Sequence, residues 1–208
     1  MLAQVNPGYA GPKPEVKQEA KSFVFLYTPF QSNLNPAYVS SASDYPADII
    51  NLYGTGFRYF VTNEIALGIG LNFGTGSSTQ ELPGGDKEET SSTSFGIALD
   101  ANYHLKSLYS VSPYIGVNIN FGSYSVSEET TVANVTDKIE FSGTGFGLGL
   151  NFGFDWYFTE GLSLGGKYTL GFSSLGKPER KDGNVTVEGP SRSSFGIGSA
   201  SVILNVHF

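Results

Sequence analysis

Residues 143–158 read GTGFGLGLNFGFDWYF, and this stretch decides how the rest of the chain is interpreted. Large apolar side chains occupy every second position, in the order Phe146, Leu148, Leu150, Phe152, Phe154, Trp156 and Phe158. Such a period of two predicts a β-strand whose two faces differ. A phosphate-binding glycine loop would turn into a helix N-terminus, and a flexible linker would not carry an apolar face. The sequence therefore predicts a strand with glycines on one side of a sheet.

The same alternation recurs along the chain and predicts eight strands in all. It is clear at 65–74, 95–104 and 115–122, and weaker at 23–27, 53–61, 162–172 and 195–208. In the last of these segments the apolar residues move from odd to even positions. We therefore predict a β-bulge near Gly198 and Ser199, because one extra residue reverses the phase of a strand.

The bulky apolar faces of these strands contain no charged residue, and the opposite faces carry mainly glycine and asparagine. In a soluble antiparallel sheet the face opposite the core is charged. An eight-stranded ring also has too little internal space for so many large side chains. The sequence therefore predicts an all-β fold, an eight-stranded antiparallel up-and-down transmembrane β-barrel with its bulky side chains facing lipid. A soluble β-sandwich or lipocalin-like barrel is the alternative.

Composition limits the possible functions. The net charge of −7 argues against a nucleic-acid-binding protein, which needs a basic face. The chain contains no cysteine, so neither a disulfide framework nor a thiolate metal site can form. No arrangement of nucleophile, base and acid is recognisable. We therefore expect no cofactor, no metal and no enzymatic activity.

The segments that connect the strands alternate between long and short. Long polar segments span 29–48, 76–92, 125–140 and 174–193, and short ones span 62–63, 106–112 and 159–161. Outer-membrane barrels have long outer loops and short periplasmic turns. We therefore expect both termini to be periplasmic, with residues 1–20 forming a periplasmic tail and residues 21–208 forming the barrel.

Two groups of side chains follow from this orientation. An aromatic belt is expected at the inner membrane interface, formed by Tyr59, Tyr103, Trp156, Phe158 and Phe208. A salt-bridge network is expected in the lumen, formed by Arg58, Glu64, Asp100, Asp155 and Lys167 with His104. Charges in a low-dielectric interior must pair, and we expect Arg58 to bind one carboxylate bidentately. The network can be a structural plug, a gate or a catalytic site. Inward glycines are expected to leave a vestibule in the outer half that is either empty or filled by folded-in loop residues.

Three short stretches resemble the small outer-membrane β-barrel domain family, which includes opacity-type and OmpX- and OmpA-transmembrane-like barrels. They are Ser112-Pro113-Tyr114-Ile115-Gly116, Asp155-Trp156-Tyr157-Phe158-Thr159 followed by Leu162-Ser163-Leu164, and the final Val206-His207-Phe208. The resemblance covers about residues 21–208 and implies a location in the bacterial outer membrane. It also implies that Val206 and Phe208 are the signal read by the barrel-insertion machinery.

The family resemblance leaves the function open. The expected partners are outer-membrane lipids, lipopolysaccharide, the insertion machinery and other outer-membrane proteins, and no nucleic acid. We expect a structural or interaction role, in envelope integrity or as an accessory subunit of a larger complex, with a lumen plugged by salt bridges. The alternative is a narrow channel for small solutes.

Overall fold

The computed structural model of the protein describes residues 14, 18–31, 53–81, 86–132 and 135–208. Within these residues it contains ten β-strands. The strands are β1 (Lys21–Gln31), β2 (Tyr53–Phe60), β3 (Ile65–Glu81), β4 (Lys87–His104), β5 (Val111–Val132), β6 (Val135–Thr159), β7 (Leu162–Leu175), β8 (Glu179–Asp182), β9 (Val185–Glu188) and β10 (Arg192–His207). No helix in this part of the chain is long and apolar enough to cross a membrane.

Eight of the ten strands form a closed ring, in the order β1-β2-β3-β4-β5-β6-β7-β10 and back to β1. All the pairings in the ring are antiparallel. The short hairpin β8–β9 lies outside the ring and pairs with β6. The predicted eight-stranded antiparallel barrel is therefore confirmed. Closure pairs each ring strand on both sides, which removes the open sheet edges that hydrocarbon cannot accommodate.

Irregularities in the strands reverse the phase of the side chains. The register of β10 against β7 shifts between Ile197 and Ser199, which confirms the predicted bulge. A second shift interrupts β1 between Tyr27 and Phe30, and no pattern in the sequence indicates it.

The long connections differ from the prediction. Segments 76–92 and 125–140 were expected to be loops, but β3 pairs with β4 up to Glu81 and Lys87, and β5 pairs with β6 up to Val132 and Val135. Segment 174–193 contains the β8–β9 hairpin rather than only a loop. Most of segment 29–48 lies outside the described residues. The error arose because the apolar alternation ends at these points, although strand pairing continues with serine and threonine.

The other end of the barrel carries the short turns, and we call it the short-turn end; the opposite end is the hairpin end. The chain approaches the short-turn end through Glu19, which has a φ of 69° and donates its N–H to Phe60 O at 2.9 Å. Ala20 then packs with Phe60 and Ala66 in a small buried cluster. The end of the predicted tail is therefore tied to the barrel base, and most of the remainder lies outside the described residues.

The outward face of the ring is apolar. Phe25, Leu67, Phe154 and Leu204 are 39–49% exposed, whereas the inward side chains include fully buried serine, asparagine and aspartate. A soluble protein has the reverse arrangement, since contiguous apolar surface of this extent marks contact with a partner or a membrane. This distribution agrees with a barrel that is surrounded by lipid.

Candidate functional site

The centre of the candidate site is an ion pair that crosses the lumen. Arg58 on β2 donates from Nη1 to Asp155 Oδ2 on β6 at 2.6 Å, and the two side chains are 4% and 0% exposed. The second carboxylate oxygen, Oδ1, accepts a hydrogen bond at 3.0 Å from Asn205 on β10. The expected bidentate contact is therefore not present: Arg58 contacts only Oδ2, and Asn205 is the donor to Oδ1.

Aromatic rings surround this pair towards the short-turn end. The His104 ring lies between Phe60 and Tyr114, with centroid distances of 4.9 and 5.1 Å. The Arg58 Cζ atom lies 5.6 Å from the centre of the Tyr114 ring, within cation–π range. We call this group the basal cluster; it comprises Arg58, Asp155, Phe60, His104, Tyr114 and Tyr157, all of them 3% exposed or less.

The remaining members of the predicted network lie elsewhere. Asp100 and Lys167 point into the lumen and are half-buried, and among the described residues neither forms a salt bridge. Asp100 Oδ1 accepts a hydrogen bond from Asn102 at 2.7 Å instead. Glu64 is exposed and lies in the turn after β2, where Thr62 Oγ1 donates to it at 3.4 Å. Glu64 is therefore outside the lumen, because β2 ends at Phe60 and its alternation does not continue through the turn.

A ladder of side-chain amides continues from Asp100 towards the hairpin end. Asn151 donates to Asn102 at 3.5 Å and accepts from Asn118 at 2.5 Å, and Asn118 accepts from Asn120 at 3.5 Å. The ladder is a polar strip along the wall formed by β4, β5 and β6. The alternation in the sequence predicts that these asparagines point inward, but it does not predict their hydrogen bonds to one another. The feature that could have indicated the ladder is the recurrence of inward asparagine on three consecutive strands.

Inward glycines make room for side chains of neighbouring strands. A Cβ atom on Gly153 would collide with the Tyr114 ring, and one on Gly68 would collide with the Asp100 carboxylate. At Gly74, Gly96 and Gly147 the space is taken by Ser94, Asn72 and Asn120 respectively. The expectation of an empty vestibule is wrong at these three glycines, because polar side chains lie over them.

Two buried serine–histidine pairs were not anticipated. Ser163 Oγ lies 2.9 Å from His207 Nε2, and Ser112 Oγ lies 2.9 Å from His104 Nδ1. Both serines are 0% exposed, so no substrate can reach either hydroxyl in this structure. Asn205 also donates to Ser163 Oγ at 3.0 Å, which links this pair to the ion pair of the basal cluster. The arrangement holds the base of the barrel together and offers no accessible nucleophile.

The predicted belt residues lie on the outward face near the short-turn end. Tyr103, Trp156, Phe158 and Phe208 are 42–62% exposed, and Tyr59 is half-buried. The rings of Trp156 and Phe158 lie 5.9 Å apart. Val206 and Phe208 follow one another on the outward face of the last strand, where the Phe208 N–H donates to Lys21 O at 2.9 Å.

A second aromatic group lies towards the hairpin end and was not anticipated from the sequence. We call it the phenylalanine girdle; its members are Phe73, Phe95, Phe121, Phe146, Phe172 and Phe195. Three register pairs form it: Phe73 with Phe95, Phe121 with Phe146, and Phe195 with Phe172. The signal was a phenylalanine at or near the hairpin-side end of six of the eight alternating segments.

In the described part of the chain, no group of three or more histidine, aspartate and glutamate side chains is placed to hold a metal ion. The acidic residues of the outer hairpins therefore do not form a metal centre among these residues. Lys138 lies instead 3.0 Å from Glu140 and 3.3 Å from Glu129. The outer acidic surface is thus partly neutralised by lysine.

The model of a protein family described as outer membrane protein beta-barrel domain matches residues 28–198. Solved structures similar to this chain include OprG from Pseudomonas aeruginosa, with 11% identity, a TM-score of 0.49, and coverage of 92% of this chain and 97% of that chain. A major outer membrane protein from Thermus thermophilus has 16% identity, a TM-score of 0.48, and coverage of 91% of this chain and 99% of that chain. Among curated proteins, none matches this sequence. Because both TM-scores lie below 0.5, the assignment rests on the family match.

Proposed function

Because this chain belongs to the outer membrane protein β-barrel domain family, we propose that it is a structural or interaction protein of the bacterial outer membrane with a closed lumen. The observation that carries the proposal is the basal cluster. Its ion pair bridges β2 and β6 across the ring, and the rings of Phe60, His104 and Tyr157 are 0–2% exposed. Solutes therefore have no open path through the base of the barrel.

The features at the two ends of the barrel support contact with other molecules. At the hairpin end, β3–β4 and β5–β6 extend past the phenylalanine girdle as paired strands. Rigid paired strands present a fixed surface at lower entropic cost than mobile loops do. We propose that this end faces the outside and that the termini lie in the periplasm. The partners would be lipids, lipopolysaccharide and other outer-membrane proteins, in addition to the insertion machinery that reads Val206 and Phe208.

A narrow channel for small solutes is the second candidate. What favours it is the amide ladder, which with half-buried Asp100 and Lys167 makes the middle and outer lumen polar. Small polar solutes could enter this half from the hairpin end. Passage would then require the basal cluster to open.

Conductance across a planar bilayer distinguishes the two candidates. We expect the wild-type protein to give no unit steps, and Arg58→Ser with Asp155→Ser and Tyr157→Ala to give small steps, because the triple variant loses the side chains that fill the base. Trp156 is the only tryptophan and lies on the outward face, so its emission reports insertion for both proteins. Reproducible unit steps from the wild type would favour the channel and contradict the closed barrel.

A further inference from the structure

The outward face of the barrel changes character beyond the phenylalanine girdle. On β3, β4, β5 and β6, the outward positions immediately past the girdle carry only serine and threonine. We call this surface the hydroxyl band; its members are Thr75, Ser77, Thr79, Ser91, Thr93, Ser123, Ser125, Ser127, Ser142 and Thr144. All are exposed except Ser127, which is half-buried and whose hydroxyl oxygen is covered.

The strand register arranges these hydroxyls in rows. Thr75 pairs with Thr93, Thr93 with Ser125, and Ser125 with Ser142, so that one row crosses four strands. A second row runs from Ser77 through Ser91 to Ser127. Neighbours are spaced about 4.8 Å apart across the strands and about 6.8 Å apart along them. The result is a regular surface of groups that each donate and accept hydrogen bonds.

The band carries no charge. Charged side chains border the band directly: Glu89 pairs with Thr79, Glu140 with Ser127, and Glu179 of β8 with Ser142. Most charged residues on this border and nearer the hairpin tips are carboxylates; these include Glu81 and Glu129, with Lys87, Lys138 and Lys181 as the cations. Recognition of phosphate needs arginine, lysine or clustered N–H donors. The band lacks these cations, and the carboxylates beyond it repel anions. The chemistry of this surface therefore fits an uncharged, hydroxyl-rich ligand better than a phosphate.

We propose that the hydroxyl band binds the uncharged sugar units of a glycolipid in the outer leaflet. The band is continuous with the lipid-facing apolar face of the same strands, so the lipid headgroups that lie next to that face must lie against the band. Sugar hydroxyls and the serine and threonine hydroxyls can donate to and accept from one another. The proposal rests on the orientation given under the proposed function, in which the hairpin end faces outward.

Thermal unfolding in defined vesicles tests the proposal. The protein is refolded into phosphatidylcholine vesicles alone, with digalactosyldiacylglycerol, which has sugar but no phosphate, or with phosphatidylglycerol, which has phosphate but no sugar. The readout is the temperature at which the folded, fast-migrating form is lost in electrophoresis. We expect the galactolipid to raise this midpoint by about 3 °C or more, since a few hydrogen bonds shift the unfolding temperature by that much. Phosphatidylglycerol should not raise it.

Two variants show whether the band is responsible. The band variant combines four substitutions: Thr75→Val, Thr93→Val, Ser125→Ala and Ser142→Ala. It removes one row of hydroxyls and keeps β-branched side chains at the threonine positions. We expect this variant to lose the galactolipid effect. Ser78→Ala with Thr90→Val changes a register pair on the inward face of the same hairpin and should keep it. For each variant, the unfolding midpoint with galactolipid is compared with the midpoint of the same variant in phosphatidylcholine alone, so a general change in its stability cancels.

Three results would overturn the proposal. Phosphatidylglycerol could raise the unfolding midpoint as much as the galactolipid does, or the band variant could keep the full galactolipid effect. The third is cross-linked dimers that form with the wild type but not with the band variant, which would make the band a contact between copies of the chain. If the band variant does not fold, methyl resonances of the wild type decide instead. Addition of galactolipid to its micelles should shift Thr75 and Thr93 but not Thr90, and uniform or absent shifts would contradict the proposal. Unit conductance steps would refute the closed barrel without changing these outcomes.

Discussion

Asp155 accepts hydrogen bonds from two other strands, one from Arg58 on β2 and one from Asn205 on β10. The carboxylate thus connects three separate parts of the ring at its centre. Both partners of the ion pair are almost fully buried, so the lost hydration of each charge is compensated by the other charge, by Asn205 at the carboxylate and by the Tyr114 ring at the guanidinium.

Replacing Asp155 by asparagine tests the dependence on this charge. Asp155→Asn keeps the shape but leaves the Arg58 guanidinium buried without a counter-charge, and we expect the free energy of unfolding to fall by about 3–5 kcal/mol. The measurement is a urea titration of the protein refolded into detergent or vesicles. Arg58→Met with Asp155→Leu is the control, and it should cost less because no unpaired charge remains. Unchanged stability of Asp155→Asn would contradict the role of the pair.

Gly153 is constrained by what lies over it. A Cβ atom there would meet the buried Tyr114 ring and the carbonyl oxygen of Gly166, the latter at 2.7 Å. We expect Gly153→Ala to lower the unfolding free energy by about 1–3 kcal/mol, since overpacking forces a buried ring to move. Gly196→Ala is the matched control, because nothing lies within 4 Å of a Cβ atom at that inward position. Equal stability of the two variants would show that the Tyr114 ring moves freely.

Alternation predicted which residues point inward, and so it identified Arg58 and Asp155. It could not predict which charges pair, because that depends on the stagger between strands that are distant in sequence. The same alternation assigns Glu64 to the lumen, because Glu64 directly precedes Ile65, an outward residue of β3. Glu64 lies in a turn, however, and the geometry of the turn directs its side chain elsewhere. The covered glycines were also unpredictable, because a glycine in the sequence does not say which neighbouring side chain lies over it.

At the scale of the strand, the apolar pattern of β5 changes face along its length. Its outward positions are apolar up to Phe121, whereas beyond that point the inward residues Tyr124 and Val126 are the buried apolar ones. The change follows the surroundings: hydrocarbon lies outside β5 up to Phe121, and a polar environment lies outside the strand beyond it. We predicted a loop beyond Phe121 because the alternation of outward apolar residues ends there. The end of that alternation marks the boundary of the hydrocarbon and not the end of the strand.

The β5–β6 hairpin beyond this boundary contains a charged group that can be titrated. Lys138 donates to Glu140 and Glu129, and this contact holds the pKa of Glu140 below its usual value and raises the pKa of Lys138. The stabilisation from Glu140 is therefore present at neutral pH and lost as the pH falls through its lowered folded pKa. We expect Lys138→Met to raise the pKa of Glu140 towards its usual value, as measured by carboxyl ¹³C shifts during acid titration.

Salt and a distant lysine provide the controls for this titration. The contact is accessible to solvent, so high salt should also move the pKa of Glu140 in the wild type towards its usual value. Lys106→Met at the short-turn end should leave it unchanged. If Lys138→Met did not move the Glu140 midpoint, the contact would not persist in solution.

For the whole molecule, the open question is which end faces the outside. The chain has no cysteine, so single cysteines can be introduced without background. Val185 on β9 is 60% exposed at the hairpin end, and Lys106 is exposed in a turn at the other end. We expect a membrane-impermeant maleimide to label Val185→Cys on intact cells and Lys106→Cys only after the outer membrane is permeabilised. The opposite pattern would reverse the proposed orientation.

The fold of the whole molecule could be predicted because it follows from a local pattern repeated eight times, together with the need to pair every strand in hydrocarbon. The function could not be predicted to the same depth. Contacts such as that of Asn205 with Asp155 join strands that are far apart in the sequence, and only the closed ring brings them together.

The pairing of β1 with β10 has a consequence for the order of events during synthesis. The first strand of the ring, β1, finds one of its two neighbours only after the last strand of the ring, β10, has been translated. A nascent chain that lacks β10 carries two edges of unsatisfied N–H and C=O groups, which acyl chains cannot solvate. Insertion of single strands one after another is therefore disfavoured, because the ring can close in the membrane only once β10 is present.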